Sequence, residues 1–171
     1  MTQLNRLLRP SLVLQGTVLD LTPELLNHHG LRGLILDVDD TLLSTYSGNL
    51  SAEVHQWIDS LRPHTQIWLV SNNINRPRIA KIGRALDLPY LWGAGKPSRR
   101  KLRQAAEEMA LPSAQLGMVG DRLFTDVIAG NRLGMFTVLV EPMVNPQERP
   151  RKHRLRSFEI WLSRLMGAFR P

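Results

Sequence analysis

The chain has 171 residues, a length that suits one domain with a sizeable core. It contains no cysteine, which excludes disulfides, thiol catalysis and cysteine-bound zinc, and its five histidines fall into no metal-ligating spacing and read as surface residues. The formal net charge is +7; residues 149–171 hold seven basic residues against Glu159, a net +6, so the basicity belongs to the C-terminal segment rather than to the whole chain.

Along the chain, the first stretch sets Leu4, Leu7, Leu8, Leu12, Val13 and Leu14 beside Arg6 and Arg9, a weakly amphipathic and mildly basic pattern. Gly33 to Leu36 is a short apolar run that reads as a buried strand and leads directly into Asp37-Val38-Asp39-Asp40-Thr41. Asp37 and Asp39 lie two apart, so in extended chain their side chains point the same way, and carboxylates sharing a site repel unless a cation or proton is present. That arrangement asks for a metal, the alternative being a solvated acidic turn. Asp40 points away from both in extended chain.

Ala52 to Leu61 reads as a helix with Val54, Trp57, Ile58 and Leu61 on one face. Ile67 to Val70 is a second strand, ending in Ser71-Asn72-Asn73, a hydroxyl and two amides suited to phosphate oxygens or to a turn. A helix over Arg76 to Leu86 and a short strand over Tyr90 to Trp92 follow, then Gly95-Lys96-Pro97, a lone cation in a loop. Ser98 to Met109 is a helix. Leu116 to Val119 is a strand ending in Gly120-Asp121, Leu123 to Leu133 a helix, and Phe136 to Val140 the last strand. This alternation predicts an α/β fold, a parallel sheet of about five strands with helices on both faces. Ligands of such sheets sit beyond the carboxyl ends of the strands, where all four polar segments fall.

The order DxDxT, a hydrophobic strand ending in Ser, Lys-Pro and GDxxxxD resembles the four-part signature of the haloacid dehalogenase (HAD) superfamily of phosphatases. Asp-Val-Asp-Asp-Thr-Leu, Val-Ser-Asn-Asn, Lys-Pro, Gly-Asp-Arg-Leu-Phe-Thr-Asp-Val and the trailing Gly130-Asn131-Arg132 are similar to the YqeG-type branch of subfamily IIIA, itself similar to the phosphatidylglycerophosphate phosphatases of mitochondria and plastids. The likeness runs from about Leu8 to Pro142, and one departure is Asp40, where members of this branch usually carry Asn. The resemblance implies a HAD-like, Rossmann-like sheet and a magnesium-dependent phosphomonoesterase.

A phosphoester needs a nucleophile, protonation of the leaving oxygen and neutralised phosphoryl charge. Asp37 would attack and form an aspartyl-phosphate, and Asp39 would act as acid and then base. Magnesium prefers octahedral oxygen ligation, which Asp37, the Asp39 carbonyl and Asp121 would supply alongside water and a phosphate oxygen. Ser71, Asn72 and Lys96 are the candidate phosphate-binding residues, with Thr41 and Asn72 also orienting the loops. Asp126 is either an outer partner of the metal, an orienter of Lys96, or a helix first-turn acid favoured by the dipole.

About ten residues, Leu42 to Ser51, separate the first motif from the next helix, and Ser71 to Lys96 has room for one helix and one short strand, so no cap domain is expected. An uncovered site resembles those that act on large or membrane-held phosphoesters. Residues 1–148 are expected to form the phosphatase domain and 149–171 a basic amphipathic tail in which Phe158, Ile160, Trp161, Leu162, Leu165, Met166 and Phe169 share one side of a helix. Such a tail suits an anionic membrane surface or packing on its own domain. No apolar run reaches spanning length and no signal-peptide pattern is present, which leads to the expectation of a cytoplasmic protein able to lie on a membrane. The rival readings are a phosphatase of a soluble nucleotide, sugar or protein phosphate, and a basic RNA- or ribosome-associated module.

Overall fold

The computed structural model describes residues 3–44 and 49–143, so the expected tail, 149–171, lies outside the described residues. Six parallel strands form one sheet in the order β1-β6-β5-β2-β3-β4, with β1 at Leu12–Val13, β2 at Gly33–Leu36, β3 at Gln66–Val70, β4 at Tyr90–Leu91, β5 at Leu116–Gly120 and β6 at Phe136–Leu139. The sixth strand beyond the expected five is β1, which pairs Leu12 with Val138 and Val13 with Leu139. Two residues are too short for an alternation of apolar and polar positions to announce a strand.

The helices are α1 at Gln3–Leu7, α2 at Pro23–His28, α3 at Ala52–Leu61, α4 at Arg76–Ala85, α5 at Arg100–Met109 and α6 at Ile128–Asn131. Ser51 caps α3 by accepting from the Val54 N–H, and Asn75 caps α4 by accepting from Arg78, each satisfying a donor that the first turn leaves free. The four-residue strand β2 is buried throughout because both sheet faces are covered. On one face, Leu34, Leu36, Ile67, Leu69, Val119 and Val138 meet Val54, Trp57, Ile58 and Leu61 of α3 and Ile79 and Ile82 of α4. On the other, Ile35, Val70, Leu91, Leu116 and Met118 meet Leu102, Ala105 and Met109 of α5 and Ala129 of α6.

Leu8 at the N-terminal end is 1% exposed and packs with Leu123, Val127 and Leu139. Asn131 fixes this segment: its side-chain amide donates to the carbonyls of Leu7 at 2.8 Å and Arg9 at 2.9 Å, and its oxygen accepts from Thr137 Oγ1 at 3.1 Å. The mildly basic N-terminal stretch is thus part of the domain's own packing. Between Ser71 and Lys96 the chain holds only α4 and β4. No helix among the described residues is long and apolar enough to cross a membrane.

Candidate active site

The chain lays β2, β3 and β4 outward on one side, then returns to place β5 and β6 on the other. Neighbouring strands β2 and β5 therefore send their connections in opposite directions, and a crevice opens beyond their carboxyl ends. Asp37 follows β2, Ser71 follows β3, Lys96 lies in the loop after β4, and Asp121 follows β5. Sheet topology brings together four segments that are scattered over 85 residues of sequence.

Lys96 stands at the centre, 5% exposed. Its Nζ donates to Asp37 Oδ1 at 2.6 Å and to the Val70 carbonyl at 2.8 Å, and it pairs with Asp126 Oδ1 at 2.8 Å. Lys96 thus acts on the crevice through its charge and by holding two carboxylates. Burial alone would lower its pKa, but Asp126 and Asp37 outweigh burial and raise it. Asn72 fixes the backbone of the same residue, accepting from the Lys96 N–H at 2.7 Å and donating to its carbonyl at 3.2 Å. Of the two roles expected of Asn72, these bonds favour orienting over phosphate contact by the side chain.

Asp126 is placed by a π-helical turn over Leu123–Val127, which interrupts the single helix expected from Leu123 onward. Such turns recur at functional sites because the extra residue re-aims side chains. Its second oxygen accepts from the Arg122 N–H at 3.2 Å. A Cβ on Gly120 would lie 2.3 Å from that oxygen, so the glycine of the Gly-Asp pair is required by the close approach of Asp126.

The carboxylates that share the crevice are Asp37, Asp121 and Asp126, each offering one oxygen within 4.8 Å of the others. The Asp39 carboxylate, which the sequence sets beside Asp37, is not among these three; the residue after it, Asp40, has a φ of +64°. Asp and Asn are the residues that most readily take this left-handed conformation, so Asp in place of Asn keeps the turn. The Asp39 Oδ1 pairs with Arg78 Nη1 at 2.7 Å, while Oδ2 accepts from Asn73 at 3.0 Å and from Ser71 Oγ at 3.4 Å. The sequence offers Asn73 only as one of two amides suited to phosphate oxygens or to a turn, and Arg78 only as a helix residue. Asn73 carried a signal, as the second amide after the strand, whereas nothing in the sequence ties a first-turn arginine of α4 to Asp39.

Three carboxylates and one ammonium leave two negative charges in a buried pocket. Burial is the largest cause raising Asp37, to about 7, with Lys96 opposing it, and raising Asp121, to about 8, with the charges of Asp126, Asp37 and Asp40 adding to the effect. Asp121 Oδ1 is buried without a hydrogen-bond partner, as is the Thr41 hydroxyl, whose residue is held instead by its backbone N–H on the Val38 carbonyl at 3.3 Å. An orphaned carboxylate oxygen, all-oxygen donors and a deficit of two positive charges fit a hard divalent cation.

A family model described as HAD-hydrolase-like matches residues 93–154. The chain is 32% identical over 129 residues to the probable phosphatase YqeG of Bacillus subtilis, which covers 75% of this chain and 74% of that one. It is 26% identical over 148 residues to the chloroplastic/mitochondrial phosphatidylglycerophosphate phosphatase 1 of Arabidopsis thaliana, over 81% of this chain but 42% of the plant protein, and so spans less than half of that relative. Its fold is similar to that of the cobalt-bound deoxy-D-mannose-octulosonate 8-phosphate phosphatase of Haemophilus influenzae, with a TM-score of 0.51 and 12% identity over 79% of this chain and 90% of that one.

Proposed function

The chain belongs to the YqeG-type branch of the HAD phosphatases, and from that premise we propose that it hydrolyses phosphomonoesters with magnesium through an aspartyl-phosphate, phosphatidylglycerophosphate being its substrate. The observation that carries the reading is the buried Lys96 joining Asp37 to Asp126 beside the unpartnered oxygen of Asp121. This is a pre-arranged seat for a phosphoryl group and a cation, and it stands at the strand ends where such sheets bind ligands.

Asp37 attacks phosphorus with one carboxylate oxygen, and the bond to the leaving alkoxide breaks as Asp39 delivers a proton to it. A water then loses a proton to Asp39 and attacks the aspartyl-phosphate, releasing inorganic phosphate and restoring Asp37. Arg78 and Asn73 aim Asp39 at the leaving side, Ser71 offers its hydroxyl to the phosphate, Thr41 orients the loop after β2, and Asn72 keeps Lys96 in place. Magnesium, held by Asp37, Asp121 and the Asp39 carbonyl, would supply the two missing positive charges, keep Asp37 ionised and neutralise the phosphoryl oxygens.

The lipid substrate is supported by the plant relative's name and by the short connection, holding only α4 and β4, between Ser71 and Lys96. The basic segment over 149–171 supports a protein of the cytoplasm that rests on an anionic membrane. The test is phosphate release from phosphatidylglycerophosphate in anionic liposomes with magnesium, beside a soluble aryl phosphate, with Asp37→Asn as the blank. Release from lipid that disappears in the Asn variant is expected. Release from the aryl phosphate alone would keep the mechanism and discard the lipid, and release from neither would favour a binding module.

A further inference from the structure

We propose that the rim of the crevice formed by Ile74, Arg76, Trp92 and the arginine-rich start of α5 is a docking surface for an anionic lipid bilayer. The proposal rests on the reading that the substrate is lipid-linked, and it names the part of the folded domain that meets the lipid.

Ile74 is 86% exposed, and Val13, at 42%, is the other exposed large hydrophobic residue among the described residues. Ile74 lies between Asn73, which holds Asp39, and Asn75, which caps α4, while its own carbonyl accepts from the Arg76 N–H at 2.9 Å. The apolar side chain therefore sits at the tip of a short turn, one residue from a group that touches the acid-base carboxylate. A lone exposed isoleucine is ordinary. The charges beside it are not.

The guanidinium of Arg76 lies 4.5 Å and the ammonium of Lys101 5.4 Å from the centroid of the Trp92 ring, so two cations from different helices pack on one aromatic ring. Arg99 precedes α5 at its cap, Arg100 and Lys101 open it, and its first turn has no acid, which stacks positive side chains on the positive end of the helix dipole. A groove beside this turn is lined by Arg99, Arg100, Arg103 and Arg132, with Glu107 as its acid. Arg76, Arg99, Arg100 and Lys101 form no ion pair among the described residues. In a parallel α/β sheet every helix starts at the end where the preceding strand finishes, so these cations and Ile74 edge the same opening as Asp37. A surface with an apolar tip and, on the same edge, cations that pair with no acid among the described residues is satisfied by an anionic bilayer, where the tip enters the acyl boundary and the cations lie among the phosphates. RNA would use the cations and leave Ile74 idle.

The experiment uses the full chain, phosphatidylcholine vesicles with and without phosphatidylglycerol, and three substrates: phosphatidylglycerophosphate in vesicles, the same lipid dispersed in detergent, and a soluble aryl phosphate. Ile74→Asp, and separately Arg99→Glu with Arg100→Glu, are expected to lower turnover in vesicles by about tenfold or more while leaving the other two substrates within about twofold. Ile74→Trp should retain vesicle turnover, and sedimentation on substrate-free anionic vesicles should weaken with the first two variants. Unchanged vesicle turnover in either variant overturns the proposal, as does an equal loss on all three substrates. A silent Ile74→Asp beside an effective arginine pair overturns it in favour of a polyanion. If the wild type cleaves aryl phosphate and neither form of the lipid, the lipid substrate is lost; sedimentation then decides the docking surface, which stands if Ile74→Asp releases the protein and falls if it does not.

Discussion

Asp37 and Asp121 are the residues through which pH and cations are expected to act on this protein. Both are raised in the fold, chiefly by burial, to about 7 and about 8. The native state therefore holds protons that the unfolded chain has already released, from the ordinary carboxylate range near 4 up to about 8. Stability contributed by these protonated forms is full at low pH and is lost as pH rises through that window. In EDTA the unfolding midpoint should fall between pH 5.5 and 8, less steeply in Asp121→Asn, and millimolar magnesium should restore it at pH 8 by binding the native state. Magnesium added to the weakly buffered protein near pH 7 should also release protons. A midpoint in EDTA that is flat or rising over this range would contradict the burial of these two carboxylates.

Asp39 illustrates how far residue chemistry could be read before its neighbours were known. Its spacing from Asp37 was legible, but its orientation was not, because the groups that hold its carboxylate lie on other elements. Arg78 and Asn73 decide that orientation, and neither could be paired with Asp39 without β3 and α4 in place. The Arg78 pair is partly solvated, which limits its worth to about 1 kcal/mol. Arg78→Ala should therefore lower kcat on an aryl phosphate by about tenfold with KM little changed, and Arg78→Lys should recover part of it. A rise in KM at unchanged kcat would mean that Arg78 binds substrate instead of positioning Asp39.

Elements were legible where period and length agreed. The strand Gly33–Leu36 and the helix Ala52–Leu61 have the expected bounds, since an apolar run flanked by turn residues and a four-residue apolar stripe have few other solutions. The π-helical turn over Leu123–Val127 was not legible, because its purpose is to aim Asp126 at Lys96 and nothing in the periodicity records a distant lysine. Nor was β1, whose two residues are held by what surrounds them. Asn131 supplies much of that hold through its bonds to Leu7, Arg9 and Thr137. Asn131→Ala removes three bonds at about 1 kcal/mol each and should lower stability by about 2–3 kcal/mol. Hydrogen exchange should show it first at the Leu14 amide, which donates to Leu139. Equal loss of protection in β2 and β5 would mean instead that β1 unfolds with the whole sheet.

At the scale of the molecule, charge and chemistry are segregated along the chain. The sheet and the three core clusters fall between Leu8 and Val140, where positive and negative residues nearly cancel, whereas 149–171 carries a net +6. From that contrast we propose a division near residue 148, with 149–171 as a second, basic anchor on an anionic membrane. A chain ending at Glu148 should keep its unfolding midpoint and its aryl phosphate turnover within about twofold. Its binding to anionic vesicles should become weaker and less salt-sensitive, each lost basic residue having contributed roughly 1 kcal/mol near the surface. What binding remains should depend on Ile74 and the start of α5, because a tail attaches the protein without orienting it, while the rim turns Asp37 toward the lipid. Loss of folding or of aryl phosphate turnover on truncation would instead make 149–171 part of the domain's own packing.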